Sequence, residues 1–360
     1  MKKIFALILI LVLAAAMLAG CTGDTVVIGN CTCSGTTCGT TGTTGTTGTN
    51  GTTAPAEGAV KTGLSVSISV SDSVSATESS KGAAKYDITL AAVTVDDNGV
   101  ITSCIIDAIP ATIEFDATGN IITDLTAAIL TKNELGADYG MVAWGGAIAE
   151  WNEQVAAVAE YAVGKTVQQL KNGDINMTTG KAEEGSDLSS SATIYLAGYV
   201  YAIEAAVNNA QHLGAQAGDE LVLSTLNTAS SSVAGTAQLD ADITVLTRKD
   251  GVITSCIIDS VQAKIAFDAT GKITTDLTAP FLSKNDLGAD YGMVAWGGAM
   301  AEWNVQAAAF ARYVTGKTAA EVADISITEA TKPADGTDLS TSVTIAIGGF
   351  QALIAKAMQA

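Results

Sequence analysis

LGADYGMVAWGGA, at Leu135–Ala147, recurs letter for letter at Leu287–Ala299. Working outward from it, Gly99–Thr166 and Gly251–Thr318 align without a gap at an offset of 152, with 50 of 68 positions identical. Beyond Thr166 and Thr318 the stretches drift, one residue is lost, and they rejoin as DLSSSAT (Asp187–Thr193) and DLSTSVT (Asp338–Thr344). A period of about 150 residues marks a duplicated domain, not a solenoid unit of roughly 20–50. Residues 64–216 and 217–360 therefore read as two tandem copies of one domain.

Each copy opens in strand-like sequence. From Leu64 apolar residues alternate with serines at period two. Tyr86–Val95 continues in β-type composition, Asp97-Asn98-Gly99 signals a hairpin into Val100–Ile106, and Lys249-Asp250-Gly251 does the same in the second copy. Ile113–Asp116 followed by Ala117-Thr118-Gly119 reads as a further strand and turn. The period then changes: Ala147–Val163 has helical spacing and is stopped by Gly164, and a second helical stretch opens at Thr193 and runs through Ile203 to Ala210. Its counterpart is Phe350 to Ala360. Strands first and helices later predict an α+β domain, an antiparallel sheet followed by helices, built twice.

The N-terminus belongs to neither copy. Lys2 and Lys3 precede an apolar run, Ile4–Leu18, with Ala19-Gly20 before Cys21. That is an export signal, too short for a stop-transfer helix. Residues 1–20 read as a lipoprotein signal peptide, because Leu18-Ala19-Gly20-Cys21 resembles the bacterial lipobox. The resemblance implies that Cys21 becomes the lipid-bearing first residue, anchored at the outer face of the cytoplasmic membrane. Residues 21–63 are dominated by Thr, Gly and Ser and read as a disordered, flexible tether. Cys31, Cys33 and Cys38 fall within it, as linker thiols, disulfide partners or metal ligands.

Composition narrows the function. With 18 basic and 37 acidic residues the formal charge is −19, which argues against nucleic acid as a partner. A single His excludes a three-His zinc centre and a Ser-His-Asp triad in each copy. That residue, His212, lies in the segment joining the copies and reads as a surface residue. Cys104 and Cys256 occupy equivalent strand positions and read as buried free thiols. Asp116, Glu150 and Asp268 carry no spacing that marks a glycosidase pair.

The rejoined motifs remain. Asp187 and Asp338 stand six residues before Thr193 and Thr344, with Ser190 or Thr341 between, ahead of a helix. A helix start with free N–H groups suits a phosphate; the same pattern also serves as an N-cap. Here the chain resembles the exported FMN-binding domains, such as the one carried by the sodium-translocating NADH:quinone reductase. Their motif is Asp-x-x-Ser/Thr-Gly-Ala-Ser/Thr, with FMN attached through its phosphate to the last hydroxyl by a flavin transferase. DLSSSAT and DLSTSVT are similar at the Asp, at Ser190 or Thr341, at Ala192 or Val343, and at the final Thr. Ser191 and Ser342 stand where the family has Gly. The resemblance implies covalent FMN on Thr193 and Thr344, Asp187 and Asp338 engaging the transferase, and electrons passing from a membrane donor to an extracellular acceptor.

The duplicated block offers a second candidate. Glycines beside Trp144 and Trp296 suit a flat ring system, whereas Trp151 and Trp303 on the following helix read as core. Two other readings stay open: a cofactor-free lipoprotein that binds a ligand or partner, and a hydrolase.

Overall fold

The computed structural model describes residues 58–360. The signal peptide, Cys21, residues 22–57 of the tether and Cys31, Cys33 and Cys38 lie outside the described residues.

Strands β1 (Lys61–Ser69), β2 (Gly82–Val95) and β3 (Ile101–Phe115) form an antiparallel meander in that order. The period-two alternation from Leu64 does what it predicts: Leu64 is buried, and Val66 and Ile68 pack beside it. β1 begins at Lys61, inside the Thr/Gly-rich stretch, because Val60 and Thr62 are buried and the Thr62 hydroxyl pairs with that of Ser255 at 2.7 Å. β2 first alternates, with Ala84, Tyr86 and Ile88 buried and Lys85 and Asp87 exposed; from Leu90 to Val95 every residue is buried. β3 is one strand where the sequence suggests two, and Pro110 lies within it. β3 pairs only with β2, and an edge strand accommodates a proline.

Helical segments follow: α1 (Lys132–Leu135), α2 (Met141–Gly145), α3 (Trp151–Ala162) and α4 (Val167–Lys171). A small ladder of β4 (Ile175–Asn176) with β5 (Lys181–Ala182) leads to α5 (Asp187–Ser191) and α6 (Ala197–Asn208). α3 starts four residues later than its spacing predicts, because Glu150 caps it. The Glu150 carboxylate also accepts the N–H groups of Met141 (2.8 Å) and Val142 (3.0 Å) at the start of α2.

The second half follows the same order. It comprises β6 (Glu220–Thr228), β7 (Thr236–Lys249), β8 (Val252–Ala266), α7 (Lys284–Leu287), α8 (Met293–Gly297), α9 (Trp303–Val314), α10 (Ala319–Ala323) and α11 (Gly348–Ala357). A 3-10 turn, Leu339–Thr341, stands where the first half has α5.

The two sheets share one core. Tyr86, Ile88, Leu90, Ile113 and Phe115 pack with Leu239, Ile243, Val245, Ile265 and Phe267. The opposite face of the first sheet (Val93, Val95, Ile101, Ile106) is covered by Val155 and Val158 of α3 and Val200 and Ile203 of α6; the second sheet is covered likewise by α9 and α11. The result is four layers, helix, sheet, sheet, helix, of mixed α+β class with antiparallel sheets followed by helices. No helix among the described residues is long and apolar enough to cross a membrane.

Contacts between the halves recur in reverse. Ile68 and Asn227 hold the same ladder place, opposite Ile88 and Ala241. Ile68 bridges to Phe281, and Asn227 Nδ2 donates to the carbonyl of Ile129, the residue aligned with Phe281, at 3.0 Å. Phe115 stacks on its own counterpart, Phe267. This is the reciprocity of a two-fold interface.

Candidate functional site

The two DLS motifs form tight turns. The Ser186 hydroxyl accepts the N–H of Ser189 and caps α5, and Ser190 Oγ donates to the carbonyl of Asp187 at 2.7 Å. Thr341 Oγ1 donates to the carbonyl of Asp338 at the same distance. Asp187 and Asp338 are at least partly open to solvent. Ser191 ends a helix and Ser342 has φ −123°, so neither position calls for the left-handed conformation that favours Gly.

Thr193 and Thr344 follow, both exposed, in the short link to the next helix. Each is held by a fully buried glutamine. Gln154 Oε1 accepts Thr193 N–H at 2.8 Å, the Thr193 hydroxyl at 3.4 Å and Ile194 N–H at 3.3 Å. Gln306 Oε1 accepts Thr344 N–H at 2.7 Å and its hydroxyl at 3.1 Å. The amide nitrogens donate to the carbonyls of Ala149 and Ala301, at 2.8 Å each, which fixes both glutamines. Lys181 Nζ donates to the carbonyl of Thr193 at 2.5 Å, which puts a cation beside that threonine.

Immediately after Thr193, Ile194 and Tyr195 enter the wall of a cleft of about 740 Å³. Its aromatic lining is Tyr139, Trp151, Tyr195, Tyr199, Tyr201 and Phe281, the last contributed by the second half. These are six of the 18 aromatic residues in the chain (6 Phe, 4 Trp, 8 Tyr), which makes the cleft the aromatic centre of an aromatic-poor protein. Trp151 Nε1–H donates to Tyr199 Oη at 2.9 Å, with the rings edge to face at 6.0 Å. Burial pushes the Tyr199 phenol up to about 12, against the pull of that bond. Behind the wall, Lys132 Nζ lies 5.0 Å from the centre of the Tyr139 ring and 5.1 Å from that of Trp151, with Asp87 Oδ1 at 3.7 Å. A cation against two aromatic faces is attracted by their quadrupoles. The Tyr195 ring lies over Gly180, where a Cβ would meet it at 1.9 Å.

The remaining candidates stand apart. Trp144 and Trp296 are 90% and 89% exposed, folded over Gly140 and Gly292, and Trp144 does not line the cleft; Trp151 and Trp303 are core. Cys104 and Cys256 are unpaired, and burial pushes both thiols up to about 12. Asp116 is a turn residue: bonds from Asn120 N–H and from the hydroxyl and N–H of Thr118 hold its carboxyl down at about 2. His212 pairs with Asp97 at the surface, at 2.9 Å. A second cavity of about 620 Å³ lies on the seam between the halves, around Asn209, Asp259 and Arg312, and no residue of either DLS motif borders it.

Sequence reasoning missed Gln154, Gln306 and the cleft. The glutamines had a signal: each is the polar member of an otherwise apolar helical stripe, Trp151-Gln154-Val155-Val158 and Trp303-Gln306-Ala307-Phe310. The cleft had none, since its walls come from segments as distant as Ser65 and Phe281. Comparison of the chain with protein families, with curated proteins and with solved structures found no match.

Proposed function

We propose that this chain is an extracytoplasmic, lipid-anchored flavoprotein electron carrier. In this reading its halves are tandem copies of one FMN-binding-like domain, with FMN joined by phosphoester bonds to Thr193 and Thr344. One observation carries the reading: at Thr193 an exposed hydroxyl, oriented by a buried glutamine, stands directly before Ile194 and Tyr195, which line an aromatic cleft of ligand size.

The residues suit the group. Thr193 and Thr344 would hold the phosphate, with Lys181 offsetting its charge beside Thr193. Tyr195 and Tyr201, each more than half exposed, offer flat faces to a ring, and the Lys132 cation lies against Tyr139 and Trp151 of the same wall. FMN, when bound, supplies one- and two-electron redox chemistry. The protein's own contribution is to anchor the phosphate, exclude water from one ring face and present positive charge. Asp187 and Asp338, beside the attachment turns, are open to a flavin transferase. Donor and acceptor are a membrane protein and an extracellular oxidant, reached through the tether and the lipid on Cys21.

The test is in-gel flavin fluorescence after co-expression of the exported, tether-free chain with a flavin transferase. The expected band halves in Thr193→Ala and in Thr344→Ala and vanishes in the double variant. A dark band, with the transferase active on a control substrate, rejects covalent attachment and leaves a ligand-binding lipoprotein.

A further inference from the structure

We infer that the halves are unequal toward a planar aromatic ring: among the described residues the first half, with Phe281 lent by the second, forms the one sheltered ring site, and the second half offers an open one. The identity of the ring rests on the flavin reading; the inequality rests on the side chains.

Position by position, the second half lacks the platform. Tyr291, Met293 and Trp303 match Tyr139, Met141 and Trp151, but Ala346 replaces Tyr195, Ala352 replaces Tyr201, and Phe350 replaces Tyr199 and is buried against Trp303. Ile129 stands where Phe281 would close the far side. Thr89, which lines the cleft, is replaced at the matching ladder position by Asp242, whose carboxylate lies against Gly349. An acid there opposes both an apolar ring face and the electron density of a reduced flavin.

The exchange is concerted. In the first half Leu196 N–H donates to the carbonyl of Gly180 at 2.6 Å, and the bare Gly180 leaves room for the Tyr195 ring. In the second half Ile347 N–H donates to the carbonyl of Thr331 at 2.7 Å. Thr331 fills the space that the missing ring vacates, in a left-handed conformation (φ 56°), and Gly348 replaces Ala197 where a Cβ would meet Thr331 at 3.0 Å. Three linked positions have thus changed together, which marks two differently built sites.

The test titrates riboflavin into the mature chain prepared without a transferase, following quenching of flavin emission. One riboflavin per chain is expected. Tyr195 and Tyr201 are each more than half exposed, so replacing them spares the core; Tyr195→Ala and Tyr201→Ala should each weaken binding about tenfold, the loss of one stacked ring. Two equal sites per chain, no binding up to the solubility limit of riboflavin, or binding that both variants leave unchanged would overturn the inference. A flavinylated chain adds a second arm: a flavin on Thr193, in Thr344→Ala, should be quenched severalfold relative to one on Thr344, in Thr193→Ala, and equal emission overturns the inference. If no flavin attaches while one riboflavin binds, covalent attachment fails and the inequality stands.

Discussion

The rings of Phe115 and Phe267 lie face to face, their centres 3.8 Å apart and their planes within 6°. The two residues hold the same place in the repeated sequence, Phe115 as the last residue of β3 and Phe267 directly after β8, and both are buried where the sheets meet. Truncating either to Ala should cost about 3–5 kcal/mol. The double variant should cost less than the sum, because the second truncation removes a contact already lost. Urea unfolding of the three variants measures this directly, and strict additivity would mean the rings do not support each other.

Gln154 links the core to the turn that carries Thr193. Gln154→Ala leaves the N–H groups of Thr193 and Ile194 without their acceptor, at a cost of about 1–3 kcal/mol. On the flavin reading, it should also lower flavin yield at Thr193 and leave Thr344 unaffected, with Gln306→Ala doing the reverse. Peptide mass mapping of the attached flavin separates the two sites.

Lys132 places a cation behind Tyr139 and Trp151. Positive charge near a flavin favours its reduced, anionic form. Lys132→Met should therefore lower the midpoint potential of a flavin on Thr193, on the order of 30 mV, equivalent to about 1.4 kcal/mol for two electrons. Spectroelectrochemistry of the Thr344→Ala chain, which on the flavin reading carries only that flavin, reads the shift; an unchanged potential would separate the cation from the ring.

Asp107 and Asp259 are buried at equivalent positions, and burial pushes both carboxyls up to about 6. Their bonds from Asn133 N–H (3.1 Å) and Asn285 N–H (3.0 Å) only partly oppose this. A carboxyl raised in the folded state binds its proton more tightly there than in the unfolded chain, so stability falls as pH rises from about 4 through about 6. Denaturant midpoints across that window should decline, and Asp107→Asn with Asp259→Asn should flatten the decline.

Gly180 and Thr331 predict opposite signs. Gly180→Ala puts a Cβ on the Tyr195 ring in a left-handed conformation (φ 71°) and should destabilise the fold and weaken riboflavin binding. Thr331→Gly relieves a strained backbone and should stabilise, by up to about 1 kcal/mol. Thermal melts of the two variants check the pair.

Much of the fold is legible in the sequence, and for physical reasons. The alternation of Leu64, Val66 and Ile68 with serines announces a strand, wet at Ser67 and Ser69 although Ser65 is buried, and Asp116-Ala117-Thr118-Gly119 closes a turn through the Asp116 side chain. The four-layer stack is not legible. In Leu90–Val95 alternation vanishes because the second sheet covers one face and helices the other, leaving only an apolar run. Thr193 and Thr344 are visible as members of a repeated motif. Their orientation by Gln154 and the cleft beyond them are not, since both depend on which distant segments the core brings together.

The reciprocal seam has one last consequence. A symmetric pair made from a single gene must carry every substitution twice, so a tyrosine gained at one site appears at both. Joined in one polypeptide, the partners can drift separately while Phe115 and Phe267 keep them in register. Tyr195 on one side and Ala346 on the other is a difference that two identical copies of one chain could not carry.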